Sequence, residues 1–584
     1  MFSKYYQSEL TYLRDMGQTF GNANPAIAGL LSERGADPDV ERLLEGFAFL
    51  TARIRERMDD AIPEIVHLLS DLLMPHFLRT IPAASIVEMS PEIGALRGRH
   101  VIARGTPLGS IEVNGTSCMF RTTSNVELLP TIIENVNLDI SSARTPVLRL
   151  QFAAPEKALP SVFEAGGMRL FINADYGIAS TLLLWFLRYC TEIHVGPRGC
   201  KRGHPLPANS IKPVGFAPEE ALLPWPGFAP TAFRLLQEYF TLPTKFHFID
   251  VKGLDTAIDV ATEQFDILFF FNQPPELGAP IGRQSIRLHC TPVINLFNAP
   301  AIPLRRSAIE HEQILRPIDV DPAYAEVYSA DNVIGIRQNG GDRINYQPFI
   351  DFRHATADRT DIGYYQLRRC ASPLDSAVDT YFTAITPGFV PVDLKTNDEV
   401  FSIELTCTNR SLAGELRAGD ICQPVPGSPS VATFKNINEV TKPVTPPLGI
   451  ELNWRLLAHL SLPHGSLATK ESLQALLGLY NFQELSEQAS GRTNRLRVDS
   501  IHGVIVSPSR RILAGAPVRG SRTTIEISED KLTGIGDIFL FGCILDSILG
   551  EHVSINSYHQ LVLKLLPSQR ELQWLPRAGM KPIV

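Results

Sequence analysis

Four possible metal ligands lie close together in the sequence, about a third of the way along the chain. Cys190, His194, Cys200 and His204 follow the pattern C-x3-H-x5-C-x3-H, and zinc takes thiolates and imidazoles in tetrahedral sites. However, the central gap is much shorter than in a usual zinc finger, and Cys190 ends the apolar run STLLLWFLRYC, where a buried free thiol is the ordinary outcome. We therefore predict no metal site and no cofactor, with zinc at these four residues as the weaker alternative.

A second chemical signal is a group of arginines between Gly491 and Arg522, where Asp499 is the single acidic residue. Guanidinium groups bind carboxylates and phosphates in planar contacts, so these side chains could dock an acidic surface of a partner subunit. A solvated face of a sheet is an equally weighted alternative. No aromatic residue for stacking lies among them, so a single-stranded nucleic acid is not a predicted ligand. The candidate arginines are Arg492, Arg495, Arg497, Arg510, Arg511, Arg519 and Arg522.

The sequence contains none of four common catalytic or nucleotide-binding motifs. The chain has no G-x-x-x-x-G-K-[ST] loop, no G-x-S-x-G elbow, no H-E-x-x-H and no G-x-G-x-x-G after a strand. These absences weaken an enzyme interpretation without excluding one, because Ser, His and Asp can converge from any positions. We interpret His247 as a sheet residue, and Glu219 with Glu220 as part of a proline-rich loop, so no catalytic residue is predicted.

Composition limits the class of protein. The 584 residues are 44% apolar and 20% charged, with a net charge of −8, which is typical of a soluble globular protein and argues against a general nucleic-acid binder. The apolar runs are too short to span a membrane. No signal peptide is visible and the eight cysteines form no CxxC pair, so we predict a cytoplasmic location with free thiols.

The element that organises the chain is an amphipathic helix predicted from Asp37 to Met58. Its apolar residues recur at three- and four-residue steps and share one face. That face consists of Val40, Leu43, Leu44, Phe47, Leu50, Ile54 and Met58. Burying seven such side chains is worth on the order of 10–20 kcal/mol, so the helix needs a neighbour, either within its own domain or on another chain.

The other elements predict an α+β multidomain fold. Helices at Ser3–Phe20 and Pro63–Leu73 belong to an N-terminal helical unit, and β-rich, mostly antiparallel domains follow it, ahead of a C-terminal mixed α/β part. We also predict a buried helix at Ser180–Cys190 and a short helix at Phe233–Phe240. The predicted domains are residues 1–82, 83–300, 301–445 and 446–584, with the third boundary in a proline-rich segment.

Seven stretches resemble one protein family along essentially the whole chain. They are YYQSELTYLR from Tyr5, NPAIAGLL from Asn24, DPDVERLLEGFAFLTARI from Asp37, FRLLQEYFTLPTKFHFID from Phe233, CTPVINLF from Cys290, WRLLAHLSL from Trp454 and WLPRAG from Trp574. Together they resemble the TssF family, also called VasA or ImpG, a baseplate subunit of the bacterial type VI secretion system.

The resemblance implies a structural wedge subunit of a contractile injection machine and no catalytic activity. It implies assembly with TssG and a second TssF copy, and with TssK, TssE and the spike complex, without nucleic acid or direct membrane insertion. Our candidate partner contacts are Tyr6, Leu10, Leu13, Val40, Leu43, Leu44, Phe47, Leu50, Ile54 and Met58. The alternatives are a multidomain cytoplasmic hydrolase and a tail baseplate protein of a contractile phage-derived particle.

Overall fold

The structure is a computed structural model in which the described residues form two compact units. The units are Met1–Leu78 with Leu448–Ala458, and Arg79–Pro447 with His459–Val584. The described residues are 6, 10–13, 38–91, 96, 98–140, 145–155, 159–164, 166–207, 209–227, 229–260, 263–306, 312–337, 343–349, 362–372, 377–385, 399–448, 469–485, 489–513, 516–551 and 553–579.

One long helix, α1, dominates the first unit and spans Pro38–Leu73, 36 residues. The sequence predicted two helices here, Asp37–Met58 and Pro63–Leu73, and this division is wrong because the helix continues through Pro63. An internal proline removes one backbone hydrogen bond. The apolar steps nevertheless stay in phase across it, with Ile62 four residues after the last apolar position of the first segment. A single continuous apolar face therefore favours one helix.

The rest of the first unit is described only in part. Residues 10–13 are helical, as predicted within Ser3–Phe20, and the remainder of that predicted helix lies outside the described residues except for residue 6. A 3-10 turn, Pro75–Leu78, follows α1, and its proline occupies the first position, where a helical turn tolerates proline best. Nε2 of His67 lies 3.0 Å from the carbonyl oxygen of Leu448, which holds this later residue against α1.

The second unit is built mainly of strands. The strands in its first half are β1 Ala84–Pro91, β2 His100–Ile102, β3 Pro107–Val113, β4 Thr116–Thr122, β5 Val126–Leu128, β6 Ile132–Asp139, β7 Val147–Ala153, β8 Gly167–Ile172, β9 Cys190–Pro197, β10 His204–Pro205, β11 Ile211–Pro213, β12 Phe248–Lys252, β13 Gln264–Phe271, β14 Ile286–Arg287 and β15 Cys290–Ile294. The later strands are β16 Phe297–Pro300, β17 Leu304–Arg305, β18 Gln313–Ile314, β19 Glu326–Arg337, β20 Arg343–Pro348, β21 Ile362–Ala371, β22 Val378–Ile385, β23 Glu399–Thr408, β24 Ala432–Asn436, β25 Ile501–Leu513, β26 Ala516–Ser528, β27 Ser557–Leu566, β28 Glu571–Gln573 and β29 Arg577–Ala578.

These strands form six sheets among the described residues. The orders are β24-β1-β15-β4-β3, β10-β9-β13-β7-β6, β11-β12-β8-β14, β16-β23-β19-β20-β21-β22-β18 with β17 on β23, β2-β5, and β25-β26-β27-β28 with β29 on β27. Within the described ranges, the β20–β21 and β26–β27 pairs are parallel and the other pairs are antiparallel. The mostly antiparallel α+β fold class predicted from the sequence is therefore confirmed.

Two of the sheets have clear apolar cores. In the first, Val87, Phe120 and Val293 are fully buried or nearly so, because alternate residues of β1, β4 and β15 face the same side. Strand β24 pairs with β1, so this sheet joins strands from two predicted domains. The four-domain division stays a prediction, although this sheet crosses one of its boundaries. In the eight-stranded sheet, Phe401 and Leu405 pack in the same way.

The helices of the second unit lie between and after the strands. They are α2 Leu159–Glu164, α3 Tyr176–Leu184, α4 Thr231–Thr241, α5 Lys470–Leu479, α6 Phe482–Leu485, α7 Ala489–Asp499 and α8 Ile535–Glu551, with 3-10 turns at Pro218–Glu220, Pro243–Phe246, Leu254–Val260, Arg283–Ser285, Pro322–Tyr324, Leu412–Glu415 and Glu529–Lys531. The predicted helix at Ser180–Cys190 is confirmed by α3 and a π-helical turn, Trp185–Tyr189, although Cys190 already belongs to β9. The predicted helix at Phe233–Phe240 is confirmed by α4.

Two sequence expectations concern the environment of the chain. In the described ranges, no helix combines the length and the apolar character that a membrane span requires. All eight cysteines fall within those ranges and all are free thiols, as predicted.

Candidate functional site

Helix α1 exposes a stripe of three large apolar side chains. Leu43, Phe47 and Leu50 are 63%, 60% and 59% exposed. Their spacing of four and three residues puts them on one face of the helix. Ala48 and Ala52 are fully buried and lie on the opposite face. Within this chain the helix therefore packs through small residues and leaves the apolar stripe, Leu43, Phe47 and Leu50, open.

The other predicted partner contacts differ in their surroundings. Four of them are half-buried: Tyr6, Leu10, Leu13 and Leu44. Three have side chains outside the described residues: Val40, Ile54 and Met58. Further along α1, Leu69 and Leu72 are 38% and 41% exposed. At 100° per residue Leu72 falls on the same face as Leu43, so the open apolar face continues to the last turn.

One of the arginines predicted to contact an acidic partner, Arg497, is buried in the structure. Arg497 is buried on α7, at 5% exposure, and its Nε lies 3.5 Å from the carboxylate of Asp537. It therefore cannot contact a partner surface. The spacing on a short helix does not show which arginine points inward, and here Asn494, one turn earlier on the same face, accepts a hydrogen bond from it at 3.0 Å.

The other arginines of the group lie at or near the surface. Arg492 and Arg495 are exposed on α7, and Arg495 pairs with Glu484 at 2.8 Å. The remaining four sit on the β25–β26 pair: Arg510, Arg511 and Arg519 are exposed and Arg522 is half-buried. The predicted cluster is thus divided between a helix and a hairpin.

Arg497 belongs to a buried node formed by Tyr176, Tyr239, Arg497 and Asp537. The hydroxyls of Tyr176 and Tyr239 donate to Oδ1 of Asp537 at 2.6 and 2.9 Å. The Arg497 guanidinium lies 5.1 and 4.9 Å from the centroids of the same two rings, within the range of cation–π attraction. The node therefore joins α3 and α4 to α7 and α8 through one charge pair.

A serine–histidine pair beside the node resembles part of a hydrolase site. Oγ of Ser180 and Nε2 of His247 are hydrogen bonded at 3.0 Å. His247 lies just before β12 rather than in a strand, which corrects its sequence interpretation. Both residues are buried, and burial lowers the pKa of His247 to about 3. A substrate cannot reach a nucleophile enclosed in this way, so the pair is structural.

The zinc candidates are not arranged as a metal centre. Among the described residues, which include all four candidates, no group of three or more His, Cys, Asp or Glu side chains could hold a metal ion. Nδ1 of His194 lies 2.9 Å from the Gly203 carbonyl oxygen and Nε2 lies 3.0 Å from the Glu192 carboxylate. Burial raises the pKa of the Cys190 thiol to about 12, which disfavours the thiolate that zinc needs. The candidates are Cys190, His194, Cys200 and His204.

A cavity of about 670 Å³ in the second unit has a histidine and a cysteine in its lining. Nε2 of His289 accepts a hydrogen bond from the Leu129 amide at 3.1 Å, and burial lowers its pKa to about 4. The Cys290 thiol donates to the Leu288 carbonyl at 3.3 Å, and burial raises its pKa well above its ordinary value. A protonated thiol beside a neutral, occupied imidazole is not an activated nucleophile.

Sequence reasoning missed three buried charged residues on and after α4. Arg234 donates to the Phe216 carbonyl at 2.9 Å, and Glu238 accepts from the Leu222 amide at 2.7 Å and pairs with Lys245. Both contacts hold the proline-rich segment that precedes α4. The available signal was the four-residue spacing of Arg234 and Glu238 within an otherwise apolar helix.

The chain is similar to known proteins along nearly its whole length. A family model described as "Type VI secretion system, TssF" matches residues 1–581. The type VI secretion system component TssF1 of Pseudomonas aeruginosa is 28% identical to this chain over 99% of each protein. A chain of the type VI secretion system TssK-TssF-TssG baseplate subcomplex, solved by cryo-electron microscopy, has a TM-score of 0.75 and 29% identity, over 93% of this chain and 100% of that one. A chain of "the baseplate complex from the type VI secretion system" has a TM-score of 0.62 and 25% identity, over 100% of both chains.

Proposed function

Because the chain belongs to the TssF family of the type VI secretion system, we propose that it is a structural baseplate subunit whose helix α1 binds neighbouring subunits. The single observation that carries the interface is the apolar stripe of Leu43, Phe47 and Leu50, each about three-fifths exposed. Monomeric proteins rarely leave contiguous large apolar side chains open, and such patches mark protein–protein contacts.

Covering the stripe contributes to binding but does not suffice alone, because association costs about 4–15 kcal/mol. Fully burying a leucine or phenylalanine side chain is worth roughly 1.5–3 kcal/mol. Covering the exposed three-fifths of three such side chains therefore contributes about 3–5 kcal/mol. Leu69 and Leu72, near the far end of the same helix, extend the contact, so a partner that follows α1 along its length gains more than one that meets it at a single turn.

The partner we propose for α1 is a TssG-like subunit together with a second copy of this chain. A long helix with an open apolar face is completed by other helices that supply matching apolar stripes. The related chain of known structure belongs to a subcomplex with TssK and TssG, which supports a TssK-like and a TssG-like neighbour here. Contacts with a TssE-like subunit and the spike complex follow from the family resemblance.

We further propose that the chain has no catalytic activity. The Ser180–His247 pair is enclosed, and the His289–Cys290 pair is held neutral and hydrogen bonded. Neither offers a base and a nucleophile to a substrate. The free state of all eight cysteines supports the proposed cytoplasmic location, since thiols remain reduced there.

Replacement of two stripe residues tests the interface. The Leu43→Asp/Phe47→Asp variant should lose copurification with a coexpressed TssG-like subunit, because two carboxylates would have to be desolvated in the contact. Both positions are exposed in the single chain, so its own folding should change by less than about 1 kcal/mol. Pull-down and sizing of the complex give the readout, and circular dichroism reports folding.

The matched control is Arg42→Asp on the same helix. Its side chain is 80% exposed and off the stripe, and the substitution changes the net charge by the same −2 units. We expect the control to retain the partner. Survival of the complex with the folded double variant, or equal loss with both variants, would refute α1 as the assembly surface. A partnerless monomer that hydrolyses a substrate would refute the structural role itself.

A further inference from the structure

The β25–β26 hairpin projects beyond the sheet that anchors it. Its strands pair in register from the Ile501–Ile527 rung to Leu513–Ala516. The third strand, β27, joins only from the rung that pairs Arg519 with Ser557. The residues beyond that rung therefore form a two-stranded tip, joined through residues 514 and 515, which lie outside the described part of the chain.

One face of the hairpin continues past the helix that covers it. Because side chains alternate along a strand, Arg510 and Val506 share a face with Ile525, which is fully buried near the base. Helix α8 packs on that face, where Gly542 lies against Leu563 of β27. The helix ends at Glu551.

This face of the hairpin carries exposed apolar side chains. Val506 and Ile512 on β25 are 45% and 76% exposed, and they lie on the face that α8 covers near the base. Pro508 and Pro517 are exposed on the same face. From here on, the hairpin tip means this exposed face, which runs from the two-stranded end onto the neighbouring rungs that β27 also joins. It consists of Val506, Pro508, Arg510, Ile512, Pro517 and Arg519.

Two like charges face each other across the hairpin tip. Arg510 and Arg519 are exactly opposed as one rung of the pair, and both are exposed. Like charges directly opposite on neighbouring strands destabilise a sheet. Within the described ranges neither guanidinium has an ion pair or a hydrogen bond, whereas Arg511 donates to Gln560 at 3.0 Å on the other face. The two guanidinium groups therefore concentrate positive charge on one face of the hairpin.

The sequence of the hairpin limits which kind of anionic partner could bind here and how it could bind. Pro508 lies in the middle of β25, the edge strand, and proline in an edge strand blocks the addition of another strand. Binding through the sheet edge is therefore disfavoured, which leaves side-chain contacts on the open face. Residues 501–528 contain no Phe, Tyr or Trp, so the bases of a single-stranded nucleic acid would lack the large aromatic side chains on which they usually stack.

We propose that the hairpin tip docks an acidic segment of a neighbouring baseplate subunit, with Arg510 and Arg519 gripping its carboxylates and Ile512 covering an apolar side chain beside them. This inference rests on the proposed function, because it assigns a neighbour of the same assembly to this surface. Guanidinium groups bind carboxylates through paired, charge-assisted hydrogen bonds. A carboxylate between the two arginines would also remove their mutual repulsion.

Charge reversal of the pair in the full chain is the test. The Arg510→Glu/Arg519→Glu variant should bind a purified TssG-like and TssK-like subcomplex at least 10-fold more weakly in 100 mM salt, at about tenfold per lost charge-assisted contact. Arg510→Gln/Arg519→Gln should lose less, since it adds no repulsion. The matched control is Arg337→Glu/Arg343→Glu, two exposed arginines on the β19–β20 pair with the same change in charge.

The chemistry is probed directly with a labelled hexaglutamate peptide and a 20-nucleotide single-stranded oligonucleotide. We expect arginine-dependent, salt-sensitive binding of the peptide and none of the oligonucleotide. If the oligonucleotide binds in an arginine-dependent way and the peptide does not, the proposal of an acidic protein partner is overturned. If the reversal variant keeps full affinity while Leu43→Asp/Phe47→Asp abolishes it, the tip proposal fails and the proposed function stands; if the unaltered chain binds no subunit, the proposed function fails.

Discussion

Removing the charge of Asp537 should loosen the attachment of the C-terminal helices, and the structure sets the size of the effect. The Asp537→Asn side chain keeps the shape and one acceptor oxygen for the Tyr176 and Tyr239 hydroxyls. It leaves Arg497 as a buried cation, 5% exposed, without its anion. Breaking a buried pair in this way costs about 3–5 kcal/mol.

A second substitution separates the charge pair from the rest of the node. Arg497→Met leaves the Asp537 carboxylate with its tyrosine hydroxyls and the Thr533 amide, 3.3 Å away, so its cost should lie near the low end, at about 3 kcal/mol. The double variant carries no uncompensated charge. We expect it to cost about 2–3 kcal/mol less than the sum of the single variants, as contacting residues do in double-mutant cycles.

Hydrogen exchange measured by mass spectrometry is the suitable assay, since a chain of 584 residues does not unfold in one step. Peptides from Ala489–Asp499 and Ile535–Glu551 should exchange roughly 100- to 3,000-fold faster in either single variant, at about 1.4 kcal/mol per tenfold. Peptides from Glu326–Arg337, in the eight-stranded sheet, provide the internal reference and should not change.

Two results would contradict this reasoning. Single variants that each change exchange by less than tenfold would show that the Arg497–Asp537 pair does not hold these helices in place. Strictly additive effects in the double variant would show that the two residues act independently, in spite of their 3.5 Å separation.

Two further predictions follow from buried positions in the second unit. Gly542→Ala should destabilise the protein by about 1–3 kcal/mol, because the added methyl overlaps the Trp574 ring. Gly478→Ala, in a helix with open space around the residue, should be neutral or stabilise by up to about 1 kcal/mol. If thermal unfolding shows Gly478→Ala to be the less stable of the two variants, the packing described at Gly542 is contradicted. Acidification should destabilise the fold, because neutral buried histidines contribute stability that is complete above the ordinary pKa of 6.5 and is lost as the pH falls toward the lowered values of about 3–4. At pH 5 the loss should be roughly 2 kcal/mol per histidine, and His289→Asn should give a shallower dependence of the urea midpoint on pH; an unchanged slope would argue against its burial. The three histidines are His247, His289 and His559.

Periodicity predicted α1 and its apolar face, but it could not say what covers that face. Three- and four-residue steps identify which side chains lie together, whereas Leu43 and Phe47 are exposed because Ala48 and Ala52, on the other side, make the contacts within the chain. Alanines carry little weight in an amphipathic pattern. The sequence interpretation therefore identified an apolar face and left open whether it packs inside the chain, and the role of these residues as partner contacts stays a prediction.

The buried node could not be predicted because its members lie far apart in sequence. Tyr176, Tyr239, Arg497 and Asp537 come from four different helices, and no local spacing links them. Arg497 was grouped with surface arginines for the same reason. The positions of Arg510 and Arg519 were likewise not predicted, because only the register of β25 and β26 shows that the two residues are directly opposed.

The node also lies on a continuous path of contacts from the hairpin tip to α3 and α4. The hairpin tip belongs to the same sheet as β27, on which α8 packs, and α8 carries Asp537. Force applied at the tip would therefore be transmitted to α3 and α4 through the Arg497–Asp537 ion pair and the two tyrosine hydroxyls bonded to Asp537. We expect such a path to transmit force with little deformation, which suits a baseplate subunit that must keep its shape while the secretion system contracts.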